Sequence, residues 1–353
     1  MTSRFRRLLE KLKTSSLDGL LVSKAANVSY LSYYNISDCY LLLSPKKSYL
    51  ITDFRYILEA EKNIQGLSVF KYNNLFADIA RLAKKLKIRR LGFEANDLKV
   101  AEYAKIKEYA GPKIKIVDTF NLIESLRQIK EPQEVKYIKE AVALTASAFK
   151  FLKGYLKPGL SELEIAGELE RFIRLGGALR SAFNIIVASG SHSSFPHSPI
   201  SNRKLRPDDA VLIDIGVELN GYKSDLTRVF FLDRIQPIQR KLYQIIIGAQ
   251  EKAIEAVKPE REISQLDYAS RSYIRSFGYG RYFGHSLGHG VGLEVHEEPS
   301  ISAKNKSLLK EGMVFTVEPG IYLPGRFGLR VEDMILVTKK GAELLSGAIN
   351  KSI

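Results

Sequence analysis

The stretch VLIDIGVELNGYKSDLTRVFF, residues 211–231, decides the architecture of the second half of this chain. Two alternating apolar runs flank Asn220–Gly221, which is typical of a two-residue β-hairpin turn. With that turn Asp214 lies opposite Thr227 and diagonal to Asp225; a turn one residue earlier would place the two aspartates directly opposite. In either register they share one face, ~4.5–8 Å apart at the backbone. Such carboxylates repel unless one is protonated or cations lie between them. The hairpin alone leaves open that one aspartate is a solvated turn residue.

A second pair of carboxylates follows later in the chain. Glu318 in VFTVEPGIY and Glu332 in LRVEDMILV each lie in an apolar pattern that predicts a buried strand. A carboxylate in such a strand must be paired or bind a metal, and an ion pair with Arg330 or Lys339 is the structural alternative. Four carboxylates and one imidazole suit two divalent ions, Mn²⁺ or Co²⁺ more than a structural zinc. Two ions ~3.5–4 Å apart can activate water and polarise a carbonyl.

Histidines mark the same half of the chain. All five lie within residues 192–296: His192, His197, His285, His289 and His296. This clustering indicates a site, although His192 has no predicted role beyond packing or the surface.

Two motifs in the Gly/His-rich segment are similar to known catalytic motifs but lack the residues that those motifs require. GHSLG, residues 284–288, matches a serine nucleophile elbow, but that fold needs a histidine well downstream, and none follows residue 296. HGVGLEVHEE, residues 289–298, is not the H-E-x-x-H of a zincin. The GHGVG run also lacks the spacing of a phosphate-binding loop.

Composition bounds the class of protein. A length of 353 residues, at ~150 per domain, predicts two domains, and 45% hydrophobic with 26% charged residues is typical of a soluble globular protein. No run of ~18 apolar residues predicts a membrane span. The basic N-terminus lacks an apolar signal region, and the single Cys39 excludes an internal disulfide or a cysteine-based zinc site. We therefore expect a cytoplasmic protein.

The net charge of +15 raises the question of nucleic-acid binding. The basic residues are densest at Lys84, Lys85, Lys87, Arg89 and Arg90. Because no aromatic residues are interleaved there to stack bases, the pattern favours a solvated helix face, and nucleic-acid binding is not expected.

Periodicity predicts an α/β first domain, residues 1–125, and an α+β second domain, residues 126–353. The first-domain helices are predicted at 3–14, 54–63, 74–87 and 99–110, and the strands in DGLLVS, NVSYLSYY, CYLLLS, SYLITD and RRLGFE. The second-domain helices are predicted at 132–155, 162–175, 237–257 and 264–277, with Ser161 and Glu164 as a capping box. Its strands are predicted at 183–188, 210–218, 222–232, 313–318 and 328–338.

The carboxylates and one histidine, taken in order, resemble a known family. Asp214, Asp225, His289, Glu318 and Glu332 lie in the contexts IDIG, GYKSDLTR, GHGVGLEVHEEP, TVEPGIY and LRVED. This series resembles the pita-bread metallopeptidases and is most similar to their Xaa-Pro peptidases, aminopeptidase P and prolidase. The first third, with NVSYL and LLLSPKKSYLITDFRY, resembles their creatinase-like N-terminal domain. The resemblance implies an α+β fold in which a pita-bread catalytic domain follows an α/β creatinase-like domain along the chain.

The resemblance implies a dinuclear metal site. Asp214 and Asp225 would bind metal, with Asp225 bridging two ions and Glu332 bridging from the other side. His289 and Glu318 would complete separate parts of the site. The ions implied are divalent, Mn²⁺ before Co²⁺ or Zn²⁺. Glu318 would also take a proton from the attacking water and pass it to the leaving nitrogen.

Further residues match positions that act on the substrate in this family. His197, in SSFPHSP, matches a histidine that contacts the substrate or its tetrahedral intermediate, and His296 one that donates to the oxyanion. His285 matches a residue of the proline pocket. Tyr322 and Arg330 resemble residues that hold the ligands and border the substrate.

One position departs from the family pattern. The family often has arginine four residues after the second histidine, where this chain has Ser300 in HEEPS. In prolidase-like members that arginine is associated with the carboxylate of a dipeptide. Its absence favours longer peptides that begin with Xaa-Pro, unless Lys304 or another basic residue substitutes.

The sequence thus predicts an exopeptidase that hydrolyses Xaa-Pro bonds at peptide N-termini, with dipeptidase activity possible. Its partners would be proline-containing peptides and a second copy of the chain, since members of the family are often homodimers. Two alternatives stay open: a catalytically silent binding protein on the same fold, and a metallohydrolase of a non-proline amide.

Overall fold

The computed structural model describes residues 3–347 together with 349 and 351. The chain separates into two compact units, one up to Arg127 and one from Gln128 onward, beside the boundary predicted at 125/126. Within the described ranges, no helix combines the length and the apolar character needed to cross a membrane.

The first unit is built on a mixed six-stranded sheet in the order β4-β3-β2-β1-β5-β6. Its strands are β1 Gly19–Val22, β2 Tyr40–Leu43, β3 Tyr49–Thr52, β4 Ser68–Lys71, β5 Arg90–Glu94 and β6 Lys115–Thr119. Its helices are α1 Ser3–Thr14, α2 Ala25–Ser32, α3 Ile57–Asn63, α4 Leu75–Lys85, α5 Val100–Ala110 and α6 Glu124–Arg127. Strand β1 pairs antiparallel with β2 and parallel with β5, so the sheet is mixed, and the helices and strands of this unit agree with the predicted α/β class.

Helix α2 corrects one prediction. The run NVSYLSYY, residues 27–34, predicted as a strand, forms most of this helix, which ends at Ser32 and is capped by Tyr33 in a left-handed conformation. Residues 27–32 are all buried, and a helix enclosed on all sides lacks the polar face that distinguishes a helical pattern from a strand. The edge strands β4 and β6 were not predicted, because their mixed and half-exposed residues show no clear alternation.

The second unit combines four α-helices in its described part with several small antiparallel sheets. The helices are α7 Pro132–Tyr155, α8 Glu162–Leu175, α9 Pro237–Glu255 and α10 Ser264–Ser276. The strands are β7 Arg180–Ser181, β8 Ile186–Ser189, β9 Ala210–Ile215, β10 Val217–Leu219, β11 Tyr222–Lys223, β12 Leu226–Phe231, β13 Gly288–Gly290, β14 Glu297–Ile301, β15 Val314–Val317, β16 Gly320–Leu323, β17 Phe327–Arg330, β18 Asp333–Thr338 and β19 Gly341–Leu344. Helices α7 and α8 have the predicted bounds, and Ser161 and Glu164 form the predicted capping box.

The strands of the second unit are buried between two layers of helices. On β15, Val314 belongs to the apolar core with α7 and α8, while Phe315 belongs to the core with α9 and α10. On β18, Met334 and Ile335 divide in the same way, as the alternation of side chains along a strand requires. Three of the predicted ligands, Asp225, Glu318 and Glu332, lie where these strands end or a ladder breaks.

Candidate metal centre

The hairpin that opens the second half of the chain has the predicted register. Strand β9 pairs with β12 so that Asp214 lies opposite Thr227, and Asp225 directly precedes β12. Asn220 and Gly221 both have positive φ, 53° and 80°, as a type I′ turn requires. The local turn chemistry thus sets the spacing of the two aspartates.

A close backbone contact interrupts this hairpin beside the aspartates. A Cβ on Gly216 would lie 1.9 Å from the carbonyl oxygen of Ser224, so only glycine fits there. The Ser224 hydroxyl accepts a hydrogen bond from the Val217 amide at 3.0 Å and contacts the Thr145 hydroxyl at 2.8 Å. The ladder therefore divides into β9–β12 and β10–β11, and Asp225 lies at the break.

The two glutamates lie at strand ends rather than within continuous strands, which corrects the sequence interpretation. Glu318 follows β15, and Glu332 lies between β17 and β18. The β16–β17 hairpin, residues 320–330, separates them. The Thr227 hydroxyl donates to Glu332 Oε2 at 2.7 Å, which connects Glu332 to the aspartate hairpin.

Four of the five predicted ligands converge in the interior. Asp225, His289 and Glu332 each offer one ligand atom, and these atoms lie within 4.8 Å of one another. His289 Nε2 is 3.5 Å from Asp225 Oδ2 and 3.5 Å from Glu318 Oε1. His289 Nδ1 lies 3.2 Å from the Gly290 carbonyl oxygen. Donation to that carbonyl would leave Nε2 free to bind a metal.

Asp214 lies beside this group with one oxygen available. Arg330 Nη2 donates to Asp214 Oδ2 at 2.7 Å, whereas Oδ1 is buried and has no hydrogen-bond partner among the described residues. The predicted alternative, an ion pair between Arg330 and one of the glutamates, is wrong, because Arg330 pairs with Asp214 instead. A buried carboxylate oxygen without a donor is costly unless a ligand completes it.

Burial makes this group of carboxyls difficult to ionise. Removal from water raises the pKa of Asp214, Asp225 and Glu332, and neighbouring carboxylates raise it further for Asp225 and Glu332. The same burial raises the pKa of Glu318 to about 8. Burial, followed by the nearby His296, lowers the pKa of His289 to about 4. A neutral imidazole and crowded carboxylates form a donor set that divalent cations would stabilise.

A chain of polar contacts surrounds Asp214. Arg330 Nη1 donates to the Tyr322 hydroxyl at 2.8 Å, and that hydroxyl lies 3.1 Å from His285 Nε2. His285 Nδ1 lies 2.8 Å from the Ser286 carbonyl oxygen, which favours a proton on Nδ1. Nε2 would then accept from the tyrosine. Burial, with Arg330 nearby, lowers the pKa of His285 to about 4.

All the predicted site residues except Tyr322 line one cavity of about 900 Å³, and Tyr322 reaches it through its contacts with Arg330 and His285. The predicted residues on the wall are Asp214, Asp225, His197, His285, His289, His296, Glu318, Arg330 and Glu332. Ser300 also faces this cavity. His296 lies close to His289, with ring centroids 4.0 Å apart and ring planes inclined at 49°.

Sequence reasoning missed two threonines that support the ligands. Thr227 donates to Glu332 and accepts from Arg330 Nε at 3.0 Å. Thr316 Oγ1 accepts from the His289 amide at 3.1 Å and donates to Glu318 Oε1 at 3.3 Å. Thr227 is two residues from Asp225, and Thr316 is two residues from Glu318. The alternation of strand faces could therefore have identified both.

Comparison with known proteins agrees with this geometry. The model of metallopeptidase family M24 matches residues 136–339, and that of the creatinase/prolidase N-terminal domain matches residues 4–129. The chain belongs to metallopeptidase family M24. The expected fold is confirmed: an α+β pita-bread catalytic domain follows a creatinase-like N-terminal domain.

The M24 peptidase has similar relatives along its whole length. A Xaa-Pro dipeptidase of Pyrococcus horikoshii is 35% identical over 98% of this chain and 97% of the relative. The solved Xaa-Pro dipeptidase from Bacillus anthracis superposes with a TM-score of 0.94 at 36% identity, covering 98% of this chain and 97% of that one. The X-Pro aminopeptidase from Thermotoga maritima gives 0.92 at 34% identity, covering 99% of both chains. The M24 peptidase is therefore a hydrolase of a family that uses divalent metal ions.

Proposed function

We propose that this M24 peptidase hydrolyses the bond between an N-terminal residue and a following proline. The observation that carries the proposal is the convergence of Asp225, His289 and Glu332, whose ligand atoms lie within 4.8 Å in the interior. The names of the full-length relatives, which include both Xaa-Pro dipeptidases and an X-Pro aminopeptidase, support this substrate class.

The residues present fit a pair of divalent ions. Asp214, Asp225, His289, Glu318 and Glu332 would hold them, and the unpartnered Asp214 Oδ1 is the oxygen that such an ion would complete. Carboxylates with one imidazole favour Mn²⁺, with Co²⁺ or Zn²⁺ as alternatives. When bound, such ions activate a water molecule and polarise the scissile carbonyl.

The chain's own side chains supply the remaining chemistry. Glu318 would accept the proton of the attacking water and deliver it to the proline nitrogen as the bond breaks. His197 and His296, which line the same cavity, would donate to the oxyanion that develops on the carbonyl. Arg330 and Tyr322 hold Asp214 and His285 in place.

Proline explains why a dedicated site is useful. Its nitrogen carries no hydrogen in a peptide, and its ring fixes the backbone angle φ. A peptidase therefore cannot hold this bond through the usual amide donor and needs a wall shaped for the ring. We assign that wall to the side of the cavity with His285.

Ser300 favours peptides longer than two residues. It faces the cavity where family members often place an arginine for the dipeptide carboxylate. Without that cation a dipeptide loses one anchor, whereas a longer peptide does not present its carboxylate there. We therefore expect aminopeptidase activity to exceed dipeptidase activity.

The deciding experiment compares Ala-Pro-Ala with Ala-Pro after metal removal and reloading with Mn²⁺. We expect faster cleavage of the tripeptide, no cleavage of Ala-Ala-Ala, and loss of activity in Asp225→Asn. An Asp118→Asn variant, at an exposed position in the first unit, is the matched control. Inactivity towards both proline substrates by the metal-loaded enzyme would overturn the proposal.

Two further expectations accompany the function, and two alternatives have distinct outcomes. We propose a homodimer, which sedimentation tests directly, and a cytoplasmic location, which fractionation tests. If the protein instead binds nucleic acid through its basic first unit, its affinity would fall steeply with salt and hydrolysis would be absent. A metallohydrolase of other amides would cleave substrates without proline.

A further inference from the structure

The loop that carries His197 has a buried anchor at its base. Residues 190–200 connect β8 towards β9, and apart from a short 3₁₀ turn at Gly190–Ser194 they have no regular structure. Pro196, His197, Ser198, Pro199 and Ile200 of this loop line the cavity. Something outside the loop must therefore fix the position of His197.

Glu162 ties both ends of this loop together. It is fully buried at the first position of α8, where the positive end of a helix stabilises a carboxylate. Its Oε1 accepts from the Ser189 amide at 2.9 Å and the Ser189 hydroxyl at 2.8 Å. Its Oε2 accepts from the Ser201 hydroxyl at 2.6 Å.

His192, in the 3₁₀ turn of the loop, contacts the same anchor. Its Nδ1 lies 3.1 Å from Glu162 Oε2 and 3.3 Å from the Ser201 hydroxyl. An ionised carboxylate can only accept, so the tautomer with its proton on Nδ1 is the one that satisfies this contact. The imidazole is partly exposed, with 36% of its side chain accessible, and therefore tolerates substitution better than Glu162.

Contacts on the side of the loop away from Glu162 join it to the candidate metal centre. The Ser193 hydroxyl accepts from the Gly328 amide at 2.9 Å. Arg330 Nη1 donates to the Pro196 carbonyl oxygen at 3.3 Å, and the same arginine binds Asp214. The loop is thus held between the start of α8 and the end of β17.

Ser201, His192 and Glu162 have the residue types of a nucleophilic triad but not its geometry. Both Ser201 and Glu162 approach the same ring nitrogen, and the serine hydroxyl also donates to the carboxylate. A relay needs the serine and the acid on opposite nitrogens. The cluster therefore holds the loop and does not attack a substrate.

We infer that His192 and Glu162 are positioning residues that fix His197 for catalysis. The expected effect on kcat/KM rests on the proposed function, whereas the expected effect on the position of the loop does not. Asparagine at position 192 keeps a donor close to the place of Nδ1, whereas leucine keeps bulk without a donor. The two substitutions separate the hydrogen bond from packing.

Hydrogen exchange tests the anchor without any substrate. In His192→Leu, peptides covering 190–200 should exchange several-fold faster, while peptides of α9 and β18 stay unchanged and Mn²⁺ affinity stays within about two-fold. His192→Asn should exchange like the parent. Glu162→Gln, which keeps one acceptor oxygen, should fall between the two. Unchanged exchange over 190–200 in His192→Leu would overturn the anchor.

A double-mutant cycle tests the link to catalysis. On a tripeptide with proline second, His192→Leu should lower kcat/KM roughly ten-fold in the parent, but by no more than about two-fold when His197 is already alanine. His192→Asn should restore most of the rate. Equal losses in both backgrounds would show that His192 does not act through His197. An inactive parent enzyme would count against the proposed function. Hydrogen exchange alone would then decide whether His192 and Glu162 hold the loop in place.

Discussion

Ser300 offers the sharpest single-residue test of substrate length. Its side chain faces the cavity that holds the metal-centre residues. Ser300→Arg would add a planar cation suited to a carboxylate. We expect the ratio of dipeptide to tripeptide hydrolysis to rise about ten-fold, which is the effect of ~1.4 kcal/mol of differential binding. Parallel kcat/KM measurements on Ala-Pro and Ala-Pro-Ala provide the check. Ser300→Gln, which adds a polar but uncharged side chain, should leave the ratio near that of the parent.

A buried carboxyl in the first unit should make that unit sensitive to pH. Glu94 accepts hydrogen bonds from the amides of Ser23 and Lys24 and from the Asn27 side chain, yet burial raises its pKa to about 7. A raised pKa means that the folded chain binds the proton more tightly than the unfolded chain. The stability that Glu94 contributes to the folded state is therefore largest below its ordinary pKa of 4.5, and it is lost as the pH rises to about 7.

We expect the free energy of unfolding to fall by up to about 3 kcal/mol over this pH range, since a shift of one pKa unit corresponds to ~1.4 kcal/mol. Hydrogen exchange of peptides covering β1 and β5 measures this loss of stability within the first unit. The exchange rates are compared at pH 5 and pH 8 after correction for intrinsic rates. Glu94→Gln, which imitates the protonated acid, should flatten the difference. A Glu94→Gln protein with the parental pH dependence would show that another group is responsible.

At the scale of elements, the interrupted hairpin of β9 to β12 demands one glycine. In Gly216→Ala the new methyl group would clash with the Ser224 carbonyl, from which it would lie 1.9 Å away. Because both atoms belong to a buried hairpin, relief would displace Asp214 or Asp225. We expect a loss of ~1–3 kcal/mol in unfolding free energy and a weaker affinity for Mn²⁺.

The matched control is Gly167→Ala in the middle of α8. Apart from the backbone of the helix itself, no atom lies within 4 Å of a Cβ at that position, so alanine should stabilise the helix by ~0.5–1 kcal/mol. Denaturant unfolding and metal titration of both variants make the comparison. Equal stability of the two alanine proteins would contradict the close contact at Gly216.

Local signals made some elements predictable and others not. The register of Asp214 against Thr227 follows from a two-residue turn, and the start of α8 follows from the Ser161–Glu164 box, so both were predicted. Helix α2 was not predicted, because its burial on every side removes the periodic contrast. The Asp214–Arg330 contact joins residues 116 positions apart. No local pattern could distinguish it from a pair between Arg330 and a glutamate.

At the scale of the whole molecule, metal removal should change both stability and its pH dependence. Without cations, burial and mutual repulsion raise the pKa of the clustered carboxyls, that of Glu318 to about 8. At these carboxyls the folded apoprotein then binds more protons than the unfolded chain, whereas at His285 and His289, whose pKa values are lowered to about 4, it binds fewer below the ordinary histidine pKa of 6.5. Above about pH 6.5 the carboxyls dominate, so the stability of the apoprotein should fall as the pH rises to about 8.

Reloading with Mn²⁺ should raise Tm most at the alkaline end of that window, because the ions replace the protons. Calorimetry of the stripped and reloaded protein at pH 6.5 and pH 8 tests this. In Asp225→Asn, one repelling charge is absent, so the stripped protein should be more stable than the stripped parent by roughly 1 kcal/mol and should gain little from Mn²⁺. A stripped parent that becomes more stable as the pH rises would contradict the repulsion.

The order of the clustered residues along the chain has a consequence for biosynthesis. The aspartates at 214 and 225 are made first, His289 follows, and Glu318 and Glu332 come more than ninety residues after Asp225. A nascent chain that stops before Glu318 contains neither glutamate and lacks strands β16 to β18, so it would have neither the proposed proton acceptor nor the second carboxylate pair. If Glu318 acts as proposed, peptidase activity would therefore begin only after most of the second unit has been synthesised.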